Sequence, residues 1–226
     1  MCWNKEVSIA TFALAIIGII YLYKRNQPND RWIALFAGVV AMIQLAEFFM
    51  WSDPTCGTIN KYASIFALII LALEPLSNMV GAAYLSNSEH KTLLKYMLWA
   101  YVIFIAFTYF TQVYKKNITW CGVSNCSDLA ASLETTTNNT TNQLVSGNAC
   151  NLRWFFLDTI KPMTAIIWII FLMVPLLAMT PSTQGISLFI LGAATFMIAR
   201  NTNVNVSGSI WCWLSIFMIY FKIFIG

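Results

Sequence analysis

The chain has 226 residues, of which 59% are hydrophobic, 15% aromatic and 10% charged. A soluble domain of this length needs more polar surface, so the composition indicates a multi-pass membrane protein whose main partner is the lipid bilayer. The net charge of +4 is spread along the chain. It does not form the basic stripe that nucleic-acid binding requires, so we expect no nucleic-acid partner.

Apolar stretches of spanning length predict an all-α fold, a bundle of seven transmembrane helices in one domain over residues 1–226. The breaks between the stretches contain turn-forming and charged residues, and residues 114–153 form a long polar loop. The predicted spans are 6–23, 32–51, 62–85, 95–113, 154–179, 185–200 and 209–225.

Basic residues indicate the orientation of this bundle. The first loop contains Lys24, Arg25 and Arg31, and the third contains Lys91 and Lys95. The positive-inside rule places both loops in the cytosol, although the opposite side also carries basic residues at span ends. We therefore expect the amino terminus outside and the carboxyl terminus in the cytosol, in the plasma membrane, a secretory-pathway membrane or a virion membrane.

Cysteines and glycosylation sequons agree with this orientation, because all of them fall on the predicted outer side. We expect most of the cysteines to be oxidised, with Cys2 and Cys212 near each other or near the outer loops, but six cysteines allow 15 pairings. Loop 114–153 is predicted to be glycosylated and tied by disulfides. The disulfide candidates are Cys2, Cys56, Cys121, Cys126, Cys150 and Cys212, and the sequon asparagines are Asn117, Asn125, Asn138, Asn139 and Asn205.

A carboxylic acid lies in the middle of the third predicted span. Glu74 is followed by Pro75, which removes one helical hydrogen bond and leaves the carbonyl near Leu71 open to a donor or a water. Asn78 lies on the same helix face as Glu74. Desolvation disfavours a charged carboxylate at this depth, so Glu74 is expected to be protonated near neutral pH.

Other polar residues are predicted at the outer third of the spans, where they would line an outward-facing vestibule above Glu74. We expect Asp158 and Lys161 to pair there with Glu47, Glu6 or Arg200. Three interpretations stay open: ion pairs that hold the helices together, a path for a proton or small cation, and a pocket for a small ligand. The candidate path residues are Glu74, Asn78, Gln44, Glu47, Asp158, Lys161, Glu6 and Arg200.

Several chemistries are disfavoured by the residues present. Lys222 lies too near the carboxyl terminus for a retinal Schiff base, and the single histidine, His90, falls in a predicted cytosolic loop. A catalytic zinc site normally needs several histidines. No phosphate-binding loop, Ser/His/Asp set or C-x-x-C is present. We therefore expect no cofactor and no metal, and an enzymatic activity is not indicated.

Short motifs occur along the chain: "MCW", "QLAEFFMW", the "EP" before Asn78, "WC" after the fourth span, "RWFFLDTIKP" and "GSIWCW". Together they resemble an uncharacterised family of seven-span membrane proteins from bacteria, algae and giant viruses. Asp158 fits the family pattern, whereas the histidines of bacterial members are absent. The family has no established activity, so the resemblance implies a fold and an origin more than a function. The sequons, together with the high asparagine and isoleucine content, indicate the eukaryotic or large-virus branch.

Two main functional hypotheses follow. The first is a small proton or cation channel or transporter that uses Glu74, and the second is a structural or interaction protein of a membrane. A ligand-binding receptor is a weaker third. A continuous water-filled path past Glu74 would favour transport. A Glu74 side chain whose polar atoms are covered by Asn78 and neighbouring spans would favour a structural role.

Overall fold

The computed structural model describes residues 4–114, 116–127, 151–202 and 207–226. This part of the chain is mostly helical. Five helices are long and apolar enough to cross a membrane, which agrees with the membrane protein predicted from composition. They are Lys5–Arg25, Asp30–Ser52, Thr58–Leu85, Lys91–Val113 and Ser182–Asn201.

The described residues form eight α-helical segments. In chain order they are α1 Lys5–Arg25, α2 Asp30–Ser52, α3 Thr58–Val80, α4 Lys91–Thr108, α5 Pro162–Met173, α6 Ser182–Thr202, α7 Ser207–Ser215 and α8 Phe217–Ile225. Helix α3 continues as a π-helical turn over Gly81–Leu85, and α4 as another over Tyr109–Val113. Helix α5 continues as a 3-10 helix over Val174–Ala178.

The fifth and seventh predicted spans differ from the helices that form. Helix α5 begins at Pro162 rather than near residue 154, and its α-helical part ends at Met173, just before Pro175. Proline has no N–H to continue the helix. The seventh stretch is divided at Ile216 into α7 and α8. Both apolar segments, Pro162–Ala178 and Ser209–Ile225, are therefore shorter than the five long helices, and seven crossings stay a prediction.

Helix α2 is the central helix, since it packs against α1 and α3 along most of its length and also contacts α7 and α8. Small and branched residues of α2, including Ala37, Val40 and Ala41, are buried in the largest apolar core cluster. Helix α4 is at the periphery and exposes most of its surface. An apolar helix surface of that kind suits contact with lipid.

A short antiparallel hairpin interrupts the predicted all-α fold. Strands β1 (Gly122–Ser124) and β2 (Leu152–Trp154) pair with Val123 opposite Arg153. They are the two ends of the long polar loop, and Cys121 at the start of β1 is bonded to Cys56 before α3. The end of the bundle that carries this bond is called the disulfide end below.

Candidate functional site

Glu74 occupies a buried position in α3, with 2% of its surface exposed. Its Oε1 atom has no hydrogen-bond partner in the described part of the chain. A buried polar atom without a partner is rare in folded proteins and calls for an explanation. In a membrane protein, an ionisable residue with this environment is a candidate functional group.

Donors from two neighbouring helices take the backbone carbonyls that precede Glu74. Pro75 cannot donate to Leu71, and the Trp168 indole of α5 donates to the Leu71 carbonyl oxygen at 2.7 Å. The Tyr101 hydroxyl of α4 donates to the Ala72 carbonyl oxygen at 2.8 Å. The sequence-based expectation that Pro75 leaves this backbone open to a donor is thus confirmed, and α4 and α5 are held against α3 at this level.

Asn78 shares the buried face of α3 with Glu74 but has other partners. Its Oδ1 accepts a hydrogen bond from Trp32 Nε1 at 2.6 Å, and its Nδ2 donates to the Leu172 carbonyl oxygen at 2.6 Å. Leu172 lies three residues before Pro175, which has no N–H to donate to it. Asn78 therefore joins α2, α3 and α5, and both of its amide atoms are used by partners other than Glu74.

A glycine makes room for this polar junction. A Cβ atom at Gly81 would lie 2.2 Å from Cδ1 of Trp32. Trp32 itself is fully buried. The glycine lets the indole pack directly on the end of α3, which positions Nε1 for Asn78.

The predicted outer residues do not form one cluster of ion pairs. Gln44 and Glu47 are fully buried on α2. Glu6, Lys161 and Arg200 are exposed, and none of them makes an ion pair within the described residues. The predicted network across the vestibule is therefore absent from this part of the protein.

Asp158 has a partner close to it in sequence instead. Its Oδ2 lies 3.3 Å from an Arg153 guanidinium nitrogen, and its side chain is 40% exposed. Partial burial raises the pKa of Asp158, while Arg153 acts in the opposite direction. The expected pairing of Asp158 with residues of other spans is wrong, because the 3-10 turn Phe155–Leu157 brings Asp158 back toward β2.

Asn60 anchors the disulfide end. This fully buried side chain of α3 donates to the carbonyl oxygen of Gly122 at 2.7 Å and accepts from the Gly122 N–H at 2.8 Å. The same amide donates to the Asp53 carbonyl oxygen at 2.8 Å. Together with the Cys56–Cys121 bond, these contacts fix the hairpin on the α2–α3 connection. Sequence analysis did not identify Asn60.

The cysteine predictions have mixed outcomes. Cys56 and Cys121 are bonded, with Cα atoms 5.3 Å apart, and Cys126 is also disulfide-bonded. Cys212 is buried and is not one of the disulfide-bonded cysteines, so its assignment as a disulfide candidate is wrong. It packs in the apolar cluster at the disulfide end, which favours a thiol as a small apolar group. Cys2 and Cys150 lie outside the described residues.

Two of the predicted glycosylation asparagines lie in described parts of the chain. Asn117 is exposed. Asn125 is half-buried, and its Oδ1 accepts a hydrogen bond from the backbone N–H of Asn151 at 2.8 Å. Asn138, Asn139 and Asn205 lie outside the described residues. Glycosylation of each site stays a prediction.

Sequence analysis missed a buried charged cluster at the opposite end of the bundle. Asp30 begins α2, and its carboxylate lies 2.8 Å from Arg25 Nε and 3.3 Å from Lys222 Nζ. Arg25 also donates to the Ile223 carbonyl oxygen at 2.8 Å. We call these three charged residues, Arg25, Asp30 and Lys222, the Asp30 cluster. The sequence signal for this cluster is Lys222, because a lysine within an apolar run indicates a carboxylate partner elsewhere in the chain.

Metal ligands and cavities add little to the site. The described residues contain no group of three or more histidine, cysteine, aspartate or glutamate side chains that could hold a metal ion. A cavity of about 220 Å³ lies between α5 and α6. Its lining includes Ile169, Phe189 and Trp211 and is almost entirely apolar. Glu74 is not one of the lining residues.

Comparison with known protein families, with curated proteins and with solved structures gives no match for this chain.

Proposed function

We propose that this protein is a small proton channel or proton-linked transporter in which Glu74 binds the exchanged proton. The observation that carries the proposal is the Glu74 carboxyl, which is buried in a membrane-spanning helix with Oε1 unpartnered among the described residues. A charged carboxylate is costly in such a place unless it is paired, so the neutral acid is the resting form. Proton transfer requires a neutral acid that can lose its proton to a transiently bound water.

The contacts around Glu74 support this assignment. Trp168, Tyr101 and Asn78 could each donate a hydrogen bond, yet their donors are used by the carbonyls of Leu71, Ala72 and Leu172. These donors are therefore used by backbone carbonyls, and the Glu74 Oε1 atom is left without a partner among the described residues. A purely structural carboxylic acid would be expected to accept one of these donors.

The proposed topology has seven crossings, with the disulfide end and its hairpin outside and the Asp30 cluster at the cytosolic end of the bundle. The Cys56–Cys121 bond supports this orientation, since disulfides persist in oxidising compartments. Lys24 and Arg31, which are exposed next to the Asp30 cluster, also support it. Under this topology the protein belongs to the plasma membrane, the secretory pathway or a virion membrane.

The experiment measures proton flux into liposomes that contain the purified protein, under an imposed pH gradient, for the wild type and Glu74→Gln. Glutamine keeps the size of the neutral acid and some of its hydrogen bonding but cannot release a proton. We expect loss of flux with an unchanged helical circular dichroism spectrum. Glu89→Gln is the matched control, because Glu89 is exposed in the loop between α3 and α4, and it should conduct like the wild type.

A second candidate function, a structural or interaction protein of the membrane, is favoured by the interhelical use of polar side chains. Trp32, Asn78, Tyr101 and Trp168 all donate across helix boundaries. Such bonds hold helices together in lipid. Two results would contradict transport through Glu74 and favour this second function. One is that wild-type liposomes pass neither protons nor small cations above the protein-free level. The other is that Glu74→Gln shows the same flux as the wild type.

A further inference from the structure

The buried face of α4 and its π-helical turn is polar, although the helix is peripheral. Four residues of this segment are buried, and three of them are polar: Tyr101, Thr108 and Gln112, with Leu94 as the fourth. Their spacings of seven, seven and four residues place them on one side of a helix. An apolar helix packed on a bundle for stability alone would bury apolar side chains on that side.

At one end of this face, Gln112 connects to the start of α5. Its Nε2 donates to Thr164 Oγ1 at 2.8 Å, and its Oε1 accepts from the backbone N–H of Lys161 at 2.8 Å. Lys161 is exposed. Gln112 thus lies between the interior and the surface at the disulfide end, in a π-helical turn of the kind that is frequent at functional sites.

At the other end, the face reaches the level of Glu74. The Tyr101 hydroxyl is bonded to the Ala72 carbonyl, two residues before Glu74 in α3. On α5, Trp168 and Thr164 are four residues apart, so they share the side of the helix that faces this seam. Polar groups of α4 and α5 therefore lie at intervals along this seam, from the level of Glu74 to the disulfide end.

Thr108 lies between these two ends and has an unused hydroxyl. Its Oγ1 is buried and has no hydrogen-bond partner among the described residues. The neighbouring Thr111 is exposed, and its hydroxyl donates to the Phe107 carbonyl oxygen at 2.8 Å. At the helical rise of about 1.5 Å per residue, Thr108 is roughly 10 Å from Tyr101 and about 6 Å from Gln112 along α4. A water between these residues would supply the missing partner of Thr108.

We propose that water enters the seam between α4 and α5 from the disulfide end and connects Glu74 to the solution there, with Gln112 and Thr108 as positioning residues for that water. The inference rests on the proposed function and adds the route by which water reaches Glu74. Each transfer breaks one O–H bond on the donor water and forms one on the next, and the last transfer protonates the Glu74 carboxylate. Proton release by Glu74 runs the same steps in reverse, so no other reactant is consumed.

Access of water is tested by cysteine substitution, without any need for flux. Thr108→Cys and Thr111→Cys are compared in sealed vesicles that expose the disulfide end, by labelling with a small cationic methanethiosulfonate. The reagent reacts with the thiolate, which forms in water and not in lipid. We expect Thr108→Cys to label several-fold faster than Thr111→Cys. The wild type, whose Cys212 is buried, gives the background. Equal labelling of the two variants, or none above background, would overturn the route.

Flux measurements separate the role of the hydroxyl from a structural role. Thr108→Val keeps the shape of the side chain without its hydroxyl, and it should reduce proton flux several-fold. Thr108→Ser and the control Thr111→Val, at an exposed position, should both retain wild-type flux. If flux depends on Glu74 while Thr108→Val conducts normally, the route is wrong and the proposed function stands. If the wild type conducts nothing, the proposed function fails, and the labelling result alone decides whether water occupies the seam.

Discussion

Lys222 Nζ lies 3.3 Å from Asp30 Oδ1, and both side chains are fully buried. Asp30 also accepts from Arg25, whose guanidinium donates to the Ile223 carbonyl at the end of α8. One carboxylate therefore joins the end of α1, the start of α2 and the end of α8. Residues that are close to 200 positions apart in sequence are fixed together by this contact.

Removal of the Asp30 carboxylate is the first prediction. Asp30→Leu leaves Lys222 buried without a counter-ion, and breaking a buried ion pair in this way costs about 3 to 5 kcal/mol. We expect a clearly lower Tm in detergent and partial recovery in Asp30→Leu/Lys222→Met, because the second change removes the stranded charge. Lys24→Met is the control at a neighbouring exposed lysine. A double variant no more stable than Asp30→Leu would contradict the pairing.

The second prediction concerns Asn78. Asn78→Leu leaves the Trp32 indole N–H and the Leu172 carbonyl without their partner. Hydrogen bonds between membrane helices average about 0.6 kcal/mol and reach about 1.7, so we expect a loss of roughly 1 to 3 kcal/mol. Among the described residues, the adjacent Ser77 bonds only within α3, to the Glu74 carbonyl, and Ser77→Ala should have a smaller effect. A double-mutant cycle with Trp32→Phe measures the Trp32–Asn78 bond, and a coupling of zero would contradict it.

Sequence reasoning succeeded where the cause is local. Pro75 removes a hydrogen bond within its own helix, so an open backbone near Leu71 could be predicted from the chain alone. The identity of the donor, Trp168, could not be predicted from the chain alone, because it depends on how α5 packs against α3. The same limit explains Asn78: its shared face with Glu74 was predictable, but its partners Trp32 and Leu172 come from other helices.

Long-range contacts account for the other differences. Lys222 and Asp30 are distant in sequence, and nothing local to either residue identifies the other. The strands β1 and β2 have three residues each, too few to show the alternation that predicts a strand. The prediction that Asp158 meets other spans depends on a helix over residues 154–161. They form a strand end and a 3-10 turn instead.

The third prediction concerns Asp158 and Arg153. Since the Asp158 side chain is 40% exposed, Asp158→Asn should change stability by about 1 kcal/mol or less, as for other exposed ion pairs. Arg153 is buried, and its guanidinium lies 4.4 Å from the centre of the Phe155 ring. Arg153→Met should therefore destabilise the protein more than Asp158→Asn does. Thermal unfolding of both variants in detergent tests the order, and the reverse order would contradict it.

The fourth prediction counts thiols in the denatured, unreduced protein by labelling with a maleimide. Cys212→Ser should remove one labelled cysteine, because Cys212 is not in a disulfide. Cys56→Ser should add one, because it releases the thiol of Cys121. Ser52→Ala, at an exposed position on the same side, should leave the count unchanged. No gain of label in Cys56→Ser would show that Cys121 is reduced or has another partner.

The last prediction is a pH dependence that originates at Asp53, in the connection between α2 and α3. Its carboxylate accepts hydrogen bonds from the backbone N–H groups of Asn60 and Gly57, each at 3.2 Å, and from Thr55 Oγ1 at 3.1 Å. These bonds, with the Asn60 N–H contributing most, lower the pKa of Asp53 below its ordinary value. The charged form is therefore favoured in the folded protein, at the start of α3, where a negative charge also suits the helix dipole.

The sign of the effect follows from linkage. An aspartate whose pKa is lower in the folded state stabilises the protein fully above its unfolded pKa, near 3.9, and loses this contribution as the pH falls through the folded value. We expect Asp53→Ala to lower Tm by a constant amount at neutral and mildly acidic pH, with the difference from the wild type shrinking below about pH 4. Glu89→Ala, at an exposed carboxylate in another loop, controls for the general effect of acid. A Tm difference that persists unchanged into strong acid, or grows there, would show that the Asp53 charge does not cap α3.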